Sequence, residues 1–239
     1  MNYSLDFTLT NKNVLNLETR ENVFVPTATT NFLIDAVIQN EFSNTKKKIL
    51  DLGCGTGVVG IALHQSNLIE KNYASDLGEN AVKVTKANCK KYKIPNDIRL
   101  GSIYDPWLNE EFDIIVDDIS GISDEIAKLS PWFSGVSCAS GVDGANLTIK
   151  VIENSKKFLA KNGGLYFPII SLSNEDRILE AANYHFTNIE LVSNNEWPMP
   201  KELIAHIDKL NFLKARRHIN YIEKFGLKLC YTKIFKIWG

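Results

Sequence analysis

Short apolar runs alternate with amphipathic stretches from about residue 46 onward. The apolar runs are rich in β-branched and aromatic residues and read "KKILDLGCG", "NYASDL", "DIRLGS", "FDIIVDD" and "GGLYFPII". Between them, residues Glu79 to Tyr92 and Leu147 to Leu159 each place their apolar side chains on one side of a helix. This alternation is typical of a parallel sheet with helices on both faces. We therefore predict an α/β, Rossmann-like fold.

The two ends of the chain depart from this pattern. The first segment alternates as "SLDFTLT" and "NVLNLE" around "NKN", which predicts a β-hairpin. Pro26 should stop the strand, and Thr29 or Thr30 should cap a helix that begins near Asn31. Near the other end, "EWPMPKELIAHIDKLNFLKARRHINYIEKFG" predicts a helical insertion before a last strand, "LKLCYTKIFKIW".

Composition is compatible with one large domain. The chain has 239 residues, of which 44% are hydrophobic and 23% are charged. We expect a single domain over residues 1–239, divided into an N-terminal hairpin or lid (1–30), a core (31–193), a helical insertion (194–226) and a final strand (227–239). No apolar run reaches the roughly 18 residues that span a bilayer, and the first residues lack signal-peptide features, so we expect a cytoplasmic protein without membrane contact.

Charge and cysteine content exclude some classes of function. The formal net charge is −1, which argues against a general nucleic-acid binder. Residues 201–239 nevertheless hold nine Lys or Arg and three Asp or Glu, a basic end that is either a solvated face or a contact with an anionic partner. The four cysteines are far apart and form no C-x-x-C pair, so neither a zinc site nor a disulfide framework is expected. Oligomeric state has no clear sequence signal.

The stretch "ILDLGCGTGVVGIAL" predicts a ligand-binding loop. It contains an apolar strand, Asp51, glycines at 53, 55 and 57, and then a helix. Alternating glycines let the backbone turn sharply and approach a ligand at the positive end of a helix. A dinucleotide fingerprint would require glycine where Val58 stands, so no pyrophosphate is expected. The carboxylate of Asp51 instead suits a ligand with an ammonium group.

Two further strand ends complete this predicted site. Asp76 ends the second strand of the predicted sheet, where an acid can accept hydrogen bonds from both hydroxyls of a ribose. Gly101, Ser102 and Ile103 follow the third strand, where an adenine edge would lie.

The motifs "DLGCGTG", "ASDLGENAVKVTKAN" and "IRLGSIYD" resemble the first three motifs of class I S-adenosylmethionine-dependent methyltransferases. The resemblance implies a seven-stranded sheet whose last strand is antiparallel. It also implies S-adenosyl-L-methionine as cofactor, with its amino acid part at the Asp51 loop, its ribose at Asp76 and its adenine at Leu77, Ser102 and Ile103. An acid usually stands where this chain has Ser102. The full cofactor-binding set that we predict is Pro26, Thr30, Asp51, Gly53, Cys54, Gly55, Gly57, Asp76, Leu77, Ser102, Ile103 and Asp117.

Two segments outside the cofactor motifs resemble one branch of these enzymes. "VFVPTATTNFLIDAV" and "SGVDGANLTIKVIENSKKFLAKNGGLYFPI" are similar to segments of the protein glutamine amide methyltransferases and their RNA guanine relatives. That branch carries N-P-P-Y after its fourth strand, where this chain reads Asp118, Ile119, Ser120 and Gly121. Amide or guanine specificity is therefore not carried over.

Asp118 and Ser120 are the predicted catalytic residues. Methyl transfer mainly requires an aligned nucleophile with a free lone pair, and an ionised carboxylate accepts hydrogen bonds or takes a proton. Neighbouring strand residues point to opposite faces, so Asp117 and Asp118 are not expected to act as a pair. In one alternative Asp118 caps a helix near Ser123. In another it binds magnesium with a group among Asn174, Glu175 and Asp176, although no metal is our expectation.

Trp107, Trp132 and Trp197 each lie beside a proline in predicted loops near the strand ends. They are candidate walls of a substrate pocket, with ordinary packing as the alternative. We expect methyl transfer to N or O of a small molecule. A protein side chain or RNA as substrate, and a cofactor-binding pseudoenzyme, are the alternatives.

Overall fold

The computed structural model describes residues 2–119, 121–133 and 135–239, and Ser120, a predicted catalytic residue, lies outside them. The strands are β1 (Asn2–Thr8), β2 (Val14–Arg20), β3 (Ile49–Leu52), β4 (Asn72–Asp76), β5 (Asn96–Leu100), β6 (Phe112–Asp117), β7 (Leu159–Ile170), β8 (Asn188–Pro198), β9 (Ile222–Lys224) and β10 (Leu227–Trp238). The helices are α1 (Ala28–Glu41), α2 (Val58–Gln65), α3 (Glu79–Lys91), α4 (Asp124–Ala127), α5 (Asn146–Ser155), α6 (Glu175–His185), α7 (Lys201–Ile204) and α8 (Ile207–Ala215).

The main sheet has the strand order β5-β4-β3-β6-β7-β10-β8, and β9 pairs with β10 at its side. The pairs from β5 to β7 are parallel, whereas β10 runs antiparallel to both β7 and β8. The predicted mostly parallel sheet with an antiparallel last strand is confirmed, although β9 gives the described sheet eight strands where seven were expected. Because β3, β4, β5 and β6 are parallel, their carboxyl ends lie at one edge of the sheet.

Apolar side chains cover both faces of the sheet, as the alternation of strand side chains requires. In β6, Ile114 and Val116 belong to the buried cluster that contains Leu33 and Ile61, whereas Ile115 belongs to the cluster on the other face. Each fully buried side chain of this size stabilises the fold by roughly 1.5–3 kcal/mol. In the described part of the chain, no helix has the length and apolar character needed to cross a bilayer.

The N-terminal hairpin forms as predicted, with β1 and β2 antiparallel. It packs against α3, where the side chain of Asn88 accepts from the backbone N–H of Glu18 and donates to its carbonyl oxygen. Asn22, Phe24 and Pro26, which follow β2 within the predicted segment 1–30, reach the strand ends of the sheet, and closure of this segment over a substrate stays a prediction. Helix α1 also begins earlier than predicted, with Thr27 and not Thr29 or Thr30 as N-cap.

The helical insertion was predicted to begin at residue 194, but it begins only after Pro198. Strand β8 continues to Pro198 because it pairs with β10, with Trp197 opposite Cys230. The helices α7 and α8 follow, and their residues Leu203, Leu210 and Leu213 pack in one buried cluster with Ile122 and Ile126 of the α4 region. The insertion thus covers the segment that follows β6.

Candidate active site

The glycine loop between β3 and α2 has the backbone conformation that its sequence predicts. Gly53, Gly55 and Gly57 all have positive φ angles, of 75°, 52° and 79°. A Cβ at Gly53 would lie 2.9 Å from Cγ1 of Ile119, so the close approach of the two segments also requires glycine there. Gly57 is the N-cap of α2, which directs the helix N-terminus toward the loop.

A cavity of about 210 Å³ lies above this loop and the ends of β4 and β5. We call it the loop cavity. Eight of the residues predicted to bind the cofactor line it: Pro26, Gly53, Cys54, Gly55, Asp76, Leu77, Ser102 and Ile103. Asn22 and Phe24, which sequence reasoning did not identify, also line it, as does Asp118. The other four residues predicted to bind the cofactor do not line this cavity: Gly57, Thr30, Asp51 and Asp117.

Asp51 lies buried beneath the loop, with 1% of its surface exposed. Neither carboxyl oxygen has a hydrogen-bond partner of normal geometry. Burial raises the pKa of this carboxyl well above its usual value, and the carboxyls of Asp118 and Asp76 raise it further, while the backbone N–H of Gly60 partly offsets the rise. A buried carboxyl without a partner is costly, and a nearby cation lowers that cost.

Asp76 stabilises the loop as well as lining the cavity. Its Oδ2 accepts from the backbone N–H of Gly55 at 3.0 Å, and its Oδ1 accepts from that of Gly78 at 2.8 Å. Each carboxylate oxygen has a further lone pair, so acceptance from ribose hydroxyls remains feasible. At the rim, Leu77 is 76% exposed, and a flat ligand such as adenine would cover it. The acids, the glycine loop and the apolar rim therefore fit S-adenosylmethionine.

Asp118 lies where two cavities meet, because it lines both the loop cavity and a second one. Its Oδ2 accepts a hydrogen bond of 3.0 Å from the hydroxyl of Thr30. Burial raises the pKa of Asp118 to about 7, and the hydrogen bond from Thr30 limits that rise. The alternative of a helix cap is wrong, since Ser123 is the N-cap of α4.

Asp117 faces away from both cavities, as the alternation of strand side chains predicts. It is fully buried, and its Oδ1 accepts from the backbone N–H of Ile119 at 3.0 Å. Burial raises the pKa of Asp117 to about 8, with a further contribution from Asp118 and opposition from the N–H of Ile119. The prediction that Asp117 contacts the cofactor is therefore wrong, because its side chain lies behind the strand end.

The second cavity, of about 190 Å³, has aromatic walls, and we call it the aromatic cavity. The rings of Trp132 and Trp197 meet edge to face, with centroids 5.7 Å apart and an interplanar angle of 78°. Phe24 and Phe133 form a second pair at 5.3 Å. The remaining lining residues are Thr27, Ala28, Thr29, Thr30, Asp118, Ile119, Gly121, Ile122, Pro168 and Ile170. Two of the three predicted tryptophans thus lie together.

Trp107 does not line either cavity, and its prediction as a substrate contact is wrong. Its side chain is fully buried, packs edge to face on Phe112 and donates from Nε1 to Ser75 Oγ at 3.0 Å. The proline beside it belongs to a short 3₁₀ turn, Asp105–Trp107, that ends at the tryptophan. Proximity to a strand end in sequence therefore did not distinguish a packing tryptophan from a cavity wall.

Two of the three residues considered as magnesium ligands with Asp118 have other partners. Asn174 caps α6 and donates to Asp143 Oδ2, and Glu175 forms an ion pair of 2.6 Å with Lys233. Within residues 2–119, 121–133 and 135–239, no group of three or more His, Cys, Asp or Glu side chains is arranged to hold a metal ion.

Sequence reasoning missed the two phenylalanines of the aromatic cavity. Phe24 lies in "VFVP", two residues before Pro26, and Phe133 directly follows Trp132 in "PWF". Both are aromatic residues next to the same prolines and tryptophans that were considered, which is the signal that could have identified them.

Comparisons with known proteins agree with these motifs. The family model of the methyltransferase small domain matches residues 15–118. The release factor glutamine methyltransferase of Thermodesulfovibrio yellowstonii is 30% identical over an alignment of 155 residues that covers 62% of this chain and 56% of that protein. The protein of the same name from Clostridium acetobutylicum is 26% identical over an alignment of 190 residues that covers 74% of this chain and 65% of that one. This chain thus spans between about half and two thirds of these relatives.

Solved structures share the fold at low identity. A 16S rRNA methyltransferase of T. thermophilus, in complex with AdoMet and guanosine, has a TM-score of 0.61 at 11% identity, covering 96% of this chain and 50% of that one. A precorrin-6y methyltransferase of Geobacter metallireducens has a TM-score of 0.53 at 12% identity, covering 93% of both chains. Together with the family model, these similarities confirm the resemblance to class I methyltransferases and to their glutamine branch.

Proposed function

We propose that this protein is an S-adenosylmethionine-dependent methyltransferase that modifies a nitrogen or oxygen atom of a small molecule. The observation that carries the proposal is the meeting of the loop cavity and the aromatic cavity at Asp118. One cavity fits the cofactor, the other fits an apolar substrate, and a single acceptor side chain lies between them.

Bound S-adenosylmethionine supplies an electrophilic methyl group on a sulfonium centre. The residues of this chain position the reactants around it. Asp51 would stabilise the cationic part of the cofactor from below the loop, and Asp76 would accept from its ribose. Asp118 would accept a hydrogen bond from the nucleophile or take its proton, which leaves a lone pair directed at the methyl group. Thr30 holds the Asp118 carboxylate in place.

The apolar walls of the aromatic cavity favour a small apolar molecule. Its volume of about 190 Å³, below the roughly 300 Å³ at which drug-sized ligand pockets begin, limits the group that enters to a small one. Its walls include four aromatic rings with Pro168, Ile122 and Ile170, which would keep water away from the reacting group.

Calorimetry and label transfer test the proposal. S-adenosylhomocysteine should bind the purified protein, and methyl label from S-adenosylmethionine should enter the low-mass fraction of a cell extract. Absence of binding by both the cofactor and its demethylated product would reject a methyltransferase. Label confined to the high-mass fraction would reject a small-molecule substrate.

A protein side chain is the second candidate substrate. The similarity to proteins named release factor glutamine methyltransferase favours it, and the aromatic cavity is large enough for one side chain. The replacement of N-P-P-Y by Asp118 and its neighbours argues against glutamine itself. Label in a discrete protein band from the same extract would support this candidate.

A further inference from the structure

The aromatic cavity carries a negative charge when Asp118 is ionised. Among its described lining residues, Asp118 is the one ionisable side chain, and no Lys, Arg or His lines it. An anionic substrate group would therefore be repelled, whereas a cationic group would be attracted with little screening by water.

The walls of the cavity also favour a cation. The tryptophan pair and the phenylalanine pair place aromatic rings around one space. An aromatic face attracts an ammonium group within about 6 Å of its centroid, and tryptophan does so best. Aromatic walls and a carboxylate together are complementary to an ammonium group on an apolar body.

Hydrogen bonds within the protein engage three of the polar side chains that line the cavity and leave Asp118 as an acceptor. The hydroxyl of Thr30 donates to Asp118, and Nε1 of Trp197 donates to the hydroxyl of Thr232 at 3.0 Å. The hydroxyl of Thr29 is paired with the same Thr232 hydroxyl. These groups are engaged within the protein, while the Asp118 carboxylate keeps lone pairs that only accept. An amine N–H satisfies them, whereas an amide oxygen would find these donors already engaged.

From these observations we infer that the methyl-accepting substrate is a primary or secondary amine carried on a flat apolar group. The inference rests on the proposed function and narrows it to N-methylation. The amine enters as an ammonium ion and transfers one N–H proton to the Asp118 carboxylate. Its freed lone pair forms a bond to the methyl carbon while the carbon–sulfur bond breaks and its electron pair stays on sulfur. The product leaves as a methylated ammonium ion, and Asp118 then releases its proton to water.

The test uses three probes of similar shape, benzylamine, benzyl alcohol and benzamide, with the full chain at pH 8. Binding is measured by tryptophan fluorescence and by saturation-transfer NMR, with and without S-adenosylhomocysteine. Benzylamine should bind at least about tenfold more tightly than either neutral probe. Equal or tighter binding of benzamide or benzyl alcohol would overturn the inference.

Two variants identify the groups responsible. Asp118→Asn should weaken benzylamine binding about tenfold and change benzyl alcohol binding less than threefold. Trp132→Leu should weaken benzylamine binding about fivefold and leave S-adenosylhomocysteine binding within threefold. Unchanged benzylamine affinity in both variants would contradict the inference.

A measurement on the unmodified protein avoids dependence on folding of the variants. Between pH 6 and 8 benzylamine stays protonated while Asp118 ionises, so its affinity for the cofactor-free protein should rise, by up to about tenfold. A flat or falling affinity would overturn the role of Asp118. S-adenosylhomocysteine binding, measured separately, distinguishes failure of this inference from failure of the proposed function. If that ligand binds and benzylamine is not preferred, only the amine is rejected.

Discussion

The hydroxyl of Thr30 donates a hydrogen bond of 3.0 Å to Oδ2 of Asp118, although 88 positions separate the two residues in the chain. Thr30 lies in the first turn of α1 and is buried, and Asp118 follows the end of β6. The hydrogen bond stabilises the ionised carboxylate and fixes its orientation at the junction of the two cavities. The position of the proposed proton acceptor thus depends on two distant segments.

Thr30→Val should raise the pKa of Asp118 further above about 7. Valine keeps the volume but removes the donor that stabilises the charged form. The midpoint measured by ¹³C NMR of the carboxyl should move upward by about one pH unit. Thr30→Ser retains a hydroxyl and should leave the midpoint near that of the unmodified protein. A downward movement in the valine variant would contradict the assigned hydrogen bond.

Asp51→Asn should separate stability from cofactor binding. The buried carboxyl has no partner of normal geometry, and an amide of the same shape carries no charge. The unfolding free energy of the cofactor-free protein at pH 8 should increase by about 1–3 kcal/mol, as measured by urea denaturation. Affinity for S-adenosylhomocysteine should fall at least about tenfold by calorimetry. Unchanged affinity would remove Asp51 from the cofactor site.

The stability of the cofactor-free protein should fall as pH rises from 5 to 8. In the unfolded chain Asp117 and Asp118 ionise near pH 4, but burial delays their ionisation to about pH 8 and 7 in the folded protein. The unfolded state therefore releases protons first, and the unfolding free energy should decrease by at least about 2 kcal/mol over this range. Urea denaturation at several pH values measures this decrease.

Asp117→Asn is the matched control for this pH dependence. The substitution removes one of the two carboxyls whose pKa is raised by burial, and it changes neither cavity. The unfolding free energy should therefore decrease less between pH 5 and 8 than it does in the unmodified protein.

Glu41 acts in the opposite sense: burial raises its pKa, but hydrogen bonds from Lys236, Lys47 and Tyr166 outweigh burial and lower it. Its contribution is lost as pH falls below about 4. Stability that rises from pH 5 to 8 would contradict these assignments.

Asp118→Asn should lower turnover by at least about tenfold, the lower range for a positioned proton acceptor. The amide still accepts a hydrogen bond from Thr30 but takes a proton poorly. Affinity for S-adenosylhomocysteine should stay within threefold, because cofactor contacts come mainly from the loop and Asp76. Release of S-adenosylhomocysteine with the accepted substrate measures turnover, and full activity would leave Asp118 with a structural role alone.

Gly53→Ala should destabilise the protein more than Gly226→Ala does. Both glycines have φ near 75°, so alanine is strained at each. A Cβ at Gly53 would also contact Ile119 at 2.9 Å, whereas at Gly226 nothing lies within 4 Å. We expect a loss of about 1 kcal/mol at Gly226 and at least about 2 kcal/mol at Gly53, with weaker S-adenosylhomocysteine binding only for Gly53→Ala. Equal losses in thermal denaturation would show that the loop adjusts freely.

Local sequence was sufficient for the features that depend on neighbouring residues. The hairpin, the alternating strands and helices and the glycine loop after Asp51 follow from periodicity and from backbone geometry within a few residues. The same is true of Asp76 at its strand end. The antiparallel last strand was implied by the resemblance of three short motifs to known methyltransferases, and the structure contains it.

The aromatic cavity was decided by the tertiary structure. Trp132 and Trp197 are separated in the chain by α5, β7, α6 and most of β8, yet their rings meet edge to face, whereas Trp107 folds into the core. Whether a tryptophan beside a proline packs or lines a cavity depends on which distant side chains surround it. The contact between Thr30 and Asp118 is equally nonlocal. Sequence alone determined the loop and acids that suit the cofactor, because these lie within short motifs. Only the folded chain determined what surrounds the proposed acceptor, because those contacts join segments that are far apart in the chain.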